Sequence, residues 1–219
     1  MTDQLRRRAF GCLLACFLGS ASIAPAQDQA GKFDFYVLSL SWSPTFCALQ
    51  NGGRNEQQCG GNEDFRFIVH GLWPQYEKGY PDFCQTREPE RVPRSLGQTM
   101  FDIMPSMGLV GHQWRKHGSC TGLNQRDYFA KVREAFRRIR LPSDLSRGET
   151  SLTVSADQIE ERFIAANPGM SRRGIAASCE GKRLEEVRIC LTKDLSFRDC
   201  PEVDGDGCKI SQITLPPAQ

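Results

Sequence analysis

The chain predicts a single exported domain that mixes helices with a β-sheet and is clamped by disulfides. Three observations carry this expectation. Segments of period-2 alternation stand beside segments with helical spacing, eight cysteines fall after residue 26, and the N-terminus has the layout of an export signal. In the signal, Arg6, Arg7 and Arg8 form a positive stretch, residues 9–19 are mostly apolar, and Ala24-Pro25-Ala26 offers a small-residue cleavage site. The apolar run is shorter than the about 20 residues a membrane-spanning helix needs. A lipoprotein signal ending at Cys16 is the alternative, but it would leave only the six residues 9–14 as its apolar segment. The expected organisation is a signal peptide over residues 1–26 and one domain over residues 27–219, located in the periplasm or the medium. No other segment reads as a membrane span.

Removing the first 26 of 219 residues takes away three Arg and one Asp, so 193 residues remain with Lys+Arg 25 and Asp+Glu 25. That length suits one domain with a sizeable core. A neutral chain lacks the broad positive field that binds nucleic acid through many phosphates, so any such partner is expected at a local site. The cysteines that remain are Cys47, Cys59, Cys84, Cys120, Cys179, Cys190, Cys200 and Cys208. An even count in an exported chain reads as a disulfide framework, and the absence of any CxxC pair speaks against a zinc ribbon.

Residues 32–43 alternate Phe33, Phe35 and Val37 against Tyr36, Leu38, Leu40 and Trp42, which predicts a strand. A glycine-bracketed loop (Gly52-Gly53, Gly60-Gly61) should hold Cys47 and Cys59. Residues 65–72 predict a second strand ended by Trp73-Pro74, with His70 near its C-terminal end. Residues 76–93 are rich in Pro and charge and read as a long loop. Leu96, Met100, Ile103 and Met104 recur at helical spacing up to Pro105. Asn124 should cap a helix carrying Tyr128, Phe129, Val132, Phe136 and Ile139, whose Arg137, Arg138 and neighbouring Arg140 read as solvated. Ser155 and Gln158 form a capping box, and the C-terminal third reads as a hairpin cross-linked by the last four cysteines.

All three histidines lie in two short blocks, Phe67-Ile68-Val69-His70-Gly71-Leu72-Trp73-Pro74-Gln75 and Gly111-His112-Gln113-Trp114-Arg115-Lys116-His117-Gly118-Ser119-Cys120. Imidazole is the side chain whose ordinary pKa suits proton transfer near neutrality, so this clustering suggests one site. On a helix, His112, Gln113, Lys116 and His117 would share a strip while Trp114 anchors the core. Such a strip suits an anion. A bridge from Cys120 to Cys84 would close 36 residues, stabilise by about 4 kcal/mol in the chain-entropy account, and hold the two blocks together.

Two imidazoles facing one anion, with a lysine, are parts for phosphodiester cleavage. One ring would take a proton from an internal hydroxyl, the other would protonate the leaving oxygen, and Lys116 would stabilise the charge developing on phosphorus. An internal nucleophile means the ribose 2′-hydroxyl, so RNA is the expected substrate. Trp73 is placed either under a base or in the core. Neither a G-x-S-x-G elbow nor a P-loop is present. His112 and His117 lack the i, i+4 spacing of a helical zinc pair, although His70 could complete a three-histidine set.

The two blocks resemble the two active-site segments of the ribonuclease T2 family. The resemblance extends to the strand before Cys47, the eight cysteines and the signal. It implies an α+β fold with a central antiparallel β-sheet flanked by helices. It also implies a metal-independent, cofactor-free endoribonuclease with low base specificity, acting through 2′,3′-cyclic phosphates to 3′-phosphates. By the same resemblance His117 is the general base, His70 the general acid, Lys116 the transition-state stabiliser and His112 a phosphate ligand. The implied pairing is Cys47–Cys59, Cys84–Cys120, Cys179–Cys208 and Cys190–Cys200. Gln113 stands where the family usually has Glu; an amide can orient groups or contact the anion but cannot trade a proton. Without that carboxylate, the lysine and imidazoles disfavour one another's charged forms, so a coupled, bell-shaped profile with an optimum below neutrality is expected. The expected partner is RNA alone, with the protein a monomer. Two alternatives stand beside this reading: a catalytically weakened RNA-binding protein of the same fold, and a three-histidine metallohydrolase.

Overall fold

A computed structural model describes residues 28–49, 55–60, 64–147 and 150–217. The expected signal peptide and the glycines at 52, 53 and 61 lie outside these residues. In chain order the elements are β1 (Phe35–Trp42), α1 (Ser43–Leu49), α2 (Glu56–Cys59), β2 (Phe67–Gln75), α3 (Arg94–Gln98), α4 (Met107–Lys116), α5 (Gln125–Arg138), α6 (Ser143–Arg147), β3 (Leu152–Val154), α7 (Ala156–Ala166), β4 (Ile175–Glu180), β5 (Arg183–Leu191), α8 (Pro201–Gly205) and β6 (Ile213–Leu215). The sheet runs β2-β1-β5-β6-β3, with β4 also paired to β5. Among the described strands every pairing is antiparallel except the single parallel contact Arg183↔Thr214 between β5 and β6. The α+β expectation holds, with that one parallel contact added.

β1 keeps its two faces. Tyr36, Leu38, Leu40 and Trp42 enter the main core with Phe129, Val132 and Phe163 from α5 and α7, while Phe35 and Val37 pack on the opposite face. Burying each such side chain is worth about 1.5–3 kcal/mol. The helix starts are set by their caps. Asn124 Oδ1 accepts from the Asp127 N–H at 2.9 Å, and Ser155 with Gln158 makes a reciprocal box. All four disulfides pair as the family resemblance implied.

Three expectations need correction. β2 does not end at Trp73-Pro74 but continues to Gln75, because β2 is the sheet edge: Pro74 sits opposite Tyr36 and its missing N–H costs no ladder bond. The helix expected through Met104 is only α3; beyond Gln98 the chain turns so that Met100, Ile103 and Met104 bury and the Ile103 carbonyl accepts from the outward Val69 N–H at 2.8 Å. Cys47 and Cys59 lie on the short helices α1 and α2 rather than in loop. Arg137, Arg138 and Arg140 are exposed, as a solvated face requires.

Candidate active site

The site is built on the face of the sheet away from the main core, at the edge where α4 packs on β2. Its first component is a fault in the ladder. Ser39 pairs with Gly71 and Leu40 with Val69, so His70 is the extra residue of a β-bulge. A bulge shifts the two-residue alternation by one. Val69 and Leu72 therefore share the core face, while His70 and Trp73 share the other. A matching bulge in β5 skips Glu185 between the pairs Cys179↔Leu184 and Ser178↔Glu186, which brings Glu185, Glu186 and Arg188 to the same region.

α4 supplies the second component. Ser106 caps it through the Leu109 N–H at 3.2 Å, and Trp114 anchors it in the core, its Nε1 donating to the Pro89 carbonyl at 2.8 Å. His117 stands at its C-cap, continuing into a 3-10 turn, Gly118–Thr121. A β-carbon on Gly118 would lie 2.5 Å from Trp114 and 2.9 Å from Tyr128, so only glycine lets this turn sit against the core. Tyr128 also donates to the Leu72 carbonyl at 3.2 Å, which fixes β2 between His70 and Trp73.

Together these elements line a cavity of about 360 Å³, and all six residues singled out from the sequence face it: His70, Trp73, His112, Gln113, Lys116 and His117. Trp73 contacts two of the imidazoles, 5.4 Å edge-on from His70 and 5.2 Å stacked on His117, centroid to centroid. Its Nε1 donates to Gln113 Oε1 at 2.8 Å. Gly71 is needed here, since a β-carbon would fall 2.1 Å from that same oxygen. Gln113 is fully buried, so its contact with Trp73 decides its orientation.

The histidines have unlike surroundings. His117 is 5% exposed, and its Nδ1 has no hydrogen-bond partner among the described residues. Burial first, then Lys116, His70 and His112, push its pKa down to about 3. His112 is also lowered, by burial and then by Lys116, His70 and Arg115. His70 instead pairs through Nδ1 with Glu186, a carboxylate only 3% exposed, whose other oxygen accepts from Arg188 Nε at 3.0 Å. Burial alone would raise Glu186, but His70 and Arg188 bring it down to about 2.

Glu186 and Arg188 were not found by reading the sequence. Their signal is two charged residues on the strand Arg183–Leu191, which carries meaning only once the register is known. Nor could the loop at residues 76–80 be placed. Tyr80 lines the cavity, 6.3 Å from the His117 ring and 5.6 Å from Lys116 Nζ. No group of three His, Cys, Asp or Glu among the described residues is arranged to hold a metal ion, and no described helix is long and apolar enough to cross a membrane.

This frame is that of a known class. The chain is similar to the solved RNase-related protein from Calystegia sepium (TM-score 0.69, 21% identity, 86% of this chain and 99% of that one), a likeness of fold. It is also similar to RNase NT, solved in complex with 5′-AMP (TM-score 0.65, 26% identity, 85% and 99% covered). The sequence pattern of the ribonuclease T2 family matches residues 33–200, both histidine blocks included, and the chain belongs to that family of RNA-cleaving enzymes. A ribonuclease of Aeromonas hydrophila is 35% identical over 189 residues, covering 84% of this chain and 82% of that protein. A probable ribonuclease of Haemophilus influenzae is 38% identical over 186 residues, covering 80% and 63%.

Proposed function

We propose that the protein is an exported endoribonuclease that cuts single-stranded RNA by acid–base transesterification, with little base preference. The observation that carries this is the contrast between two imidazoles beside one tryptophan: His117 buried and held neutral, His70 paired with a carboxylate. Titratable groups whose environments differ this way sort into base and acid. His117 takes the proton of the ribose 2′-hydroxyl, and the 2′-oxygen attacks phosphorus. His70 hands a proton to the departing 5′-oxygen, leaving a 2′,3′-cyclic phosphate. Water then opens the ring with the roles reversed, giving a 3′-phosphate. Lys116 offsets charge on the five-coordinate phosphorus, His112 holds a phosphate oxygen, and Gln113 orients Trp73 against the substrate. The nucleotide in the RNase NT complex supports a nucleotide-sized cavity on this fold. RNA is the one partner required, the acting unit is a monomer, and residues 1–26 direct export to the periplasm or medium.

The test is incubation of the mature protein with RNA in excess chelator, followed by analysis of the new ends. Cyclic-phosphate ends are expected. Cleavage lost in chelator would indicate a metallohydrolase, and no cleavage in either condition would indicate an RNA-binding protein.

Two further results follow from the electrostatics. A base held neutral down to about pH 3 stays available in mild acid, where the proton donor of the step is also retained, so kcat/KM should peak below neutrality. An optimum above about pH 8, where an ordinary imidazole is neutral, would contradict the assignment. Gln113→Glu should keep the Trp73 contact through one carboxylate oxygen and change turnover by less than about tenfold, since residue 113 moves no proton. A gain beyond about a hundredfold, or 2.7 kcal/mol, would mean that the amide cripples the site.

A further inference from the structure

Glu186 is a buried carboxylate without an assigned task, and its surroundings give it one. We propose that Glu186, braced by Arg188, is the positioning residue of the proton donor: it fixes the His70 tautomer, aims Nε2 into the cavity and favours the imidazolium that donates. The proposal rests on the reading of His70 as the acid.

Geometry carries it. Each oxygen of Glu186 has its own cationic or proton-bearing partner, His70 Nδ1 on Oε1 and Arg188 Nε on Oε2. A carboxylate acts on Nδ1 only as acceptor, so that nitrogen keeps its hydrogen and Nε2 is left as the nitrogen that can exchange a proton with substrate. Glu186 is 3% exposed and His70 on a bulge that turns it to the same face, so the contact depends on two irregularities of the sheet. Arg188 lies 5.6 Å from the Trp73 ring, which links the same bracket to the residue in contact with both His70 and His117.

The charged and titratable groups that line the cavity with His70 are Glu185, Glu186 and Arg188 from β5, His112 and Lys116 from α4, His117 at its C-cap, Tyr80 from the preceding loop, and Glu202 of α8 with Asp206 at its end. The cations among them oppose a charged His70. Glu185 lines the same cavity but is engaged by Ser178 Oγ at 3.2 Å, so Glu186 is the carboxylate in contact with the ring. The negative charge that position 113 does not supply thus enters from the sheet, on the acid, and Gln113 is left to hold Trp73.

The experiment compares wild type with Glu186→Gln and Glu186→Asp, reading kcat and KM against pH and following the His70 imidazole by NMR. Glu186→Gln keeps an acceptor for Nδ1 but removes the charge. It should move the alkaline limb of kcat, and the His70 titration with it, about one pH unit or more toward acid, in line with losing an opposite charge in contact. KM should change less than kcat, and Glu186→Asp should recover part of the shift. If Glu186→Gln leaves the alkaline limb and the His70 titration where they were, Glu186 only braces the sheet and the proposal is wrong. Wild type that fails to cut RNA, while the His70 titration still moves in Glu186→Gln, would overturn the functional reading but not the pairing.

Discussion

Replacing His117 with alanine is expected to lower kcat/KM for RNA by about 10²–10⁴, the range for removing one positioned acid or base. His70→Ala should cost a similar factor. On the proposed mechanism the two rings act in one concerted step, so the double variant should fall well short of the product of the single losses. The stacking of His117 on Trp73 adds a separate expectation: substrate binding should weaken much less than turnover, since Trp73, Lys116 and His112 all remain. A His117→Ala variant within about tenfold of wild type, too small for a lost base, would remove this residue from the mechanism. The ends of the RNA cut by residual activity should still be cyclic phosphates.

Loss of the Cys84–Cys120 bridge is the second large effect expected. Its loop of 36 residues gives about 4 kcal/mol in the chain-entropy account, a large part of a typical domain's stability. The bond also does local work. The Lys116 carbonyl accepts from the Phe83 N–H at 2.9 Å, and the Cys120 carbonyl accepts from the Gly31 N–H at 2.9 Å. The bridge therefore joins the turn at the end of α4 to the loop that brings Tyr80 over His117 and Lys116. Cys84→Ala with Cys120→Ala should lower the denaturation midpoint strongly. It should also raise KM at temperatures where the protein remains folded. A midpoint unchanged in the double variant would show that the hydrogen bonds alone hold the loop.

Much of this site was legible in the sequence because its residues are chemically conspicuous. Three histidines in two blocks, with a lysine and a tryptophan beside them, mark a site before any fold is known, and all six residues singled out line one cavity. The capped helices were equally plain, since Asn124 and Ser155 satisfy backbone N–H groups through local contacts that spacing reveals. What failed depends on register. Strict alternation from Val69 would put His70 and Trp73 on opposite faces; a bulge at His70 brings them together, and nothing local in the sequence announces it. Glu186 was hidden for the same reason, being 116 residues from His70 and adjacent only through β1 and two irregular pairings. The helix expected through Met104 was cut short by tertiary packing, which draws Met100, Ile103 and Met104 inward. The expected lowering of the histidines agrees in direction for His112 and His117, but its larger cause there is burial rather than neighbouring charge, and the expectation took no account of the carboxylate on the sheet.

The claim beneath all of this is that His70 and His117 address the same phosphate. Titrating the protein with a dinucleotide that lacks the 2′-hydroxyl, and so cannot be cut, while following both imidazoles by NMR, tests it directly. Resonances of both rings should shift at one common saturation point, and both should titrate at higher pH with the anion bound. Movement of one ring alone, or of the two at different ligand concentrations, would contradict it.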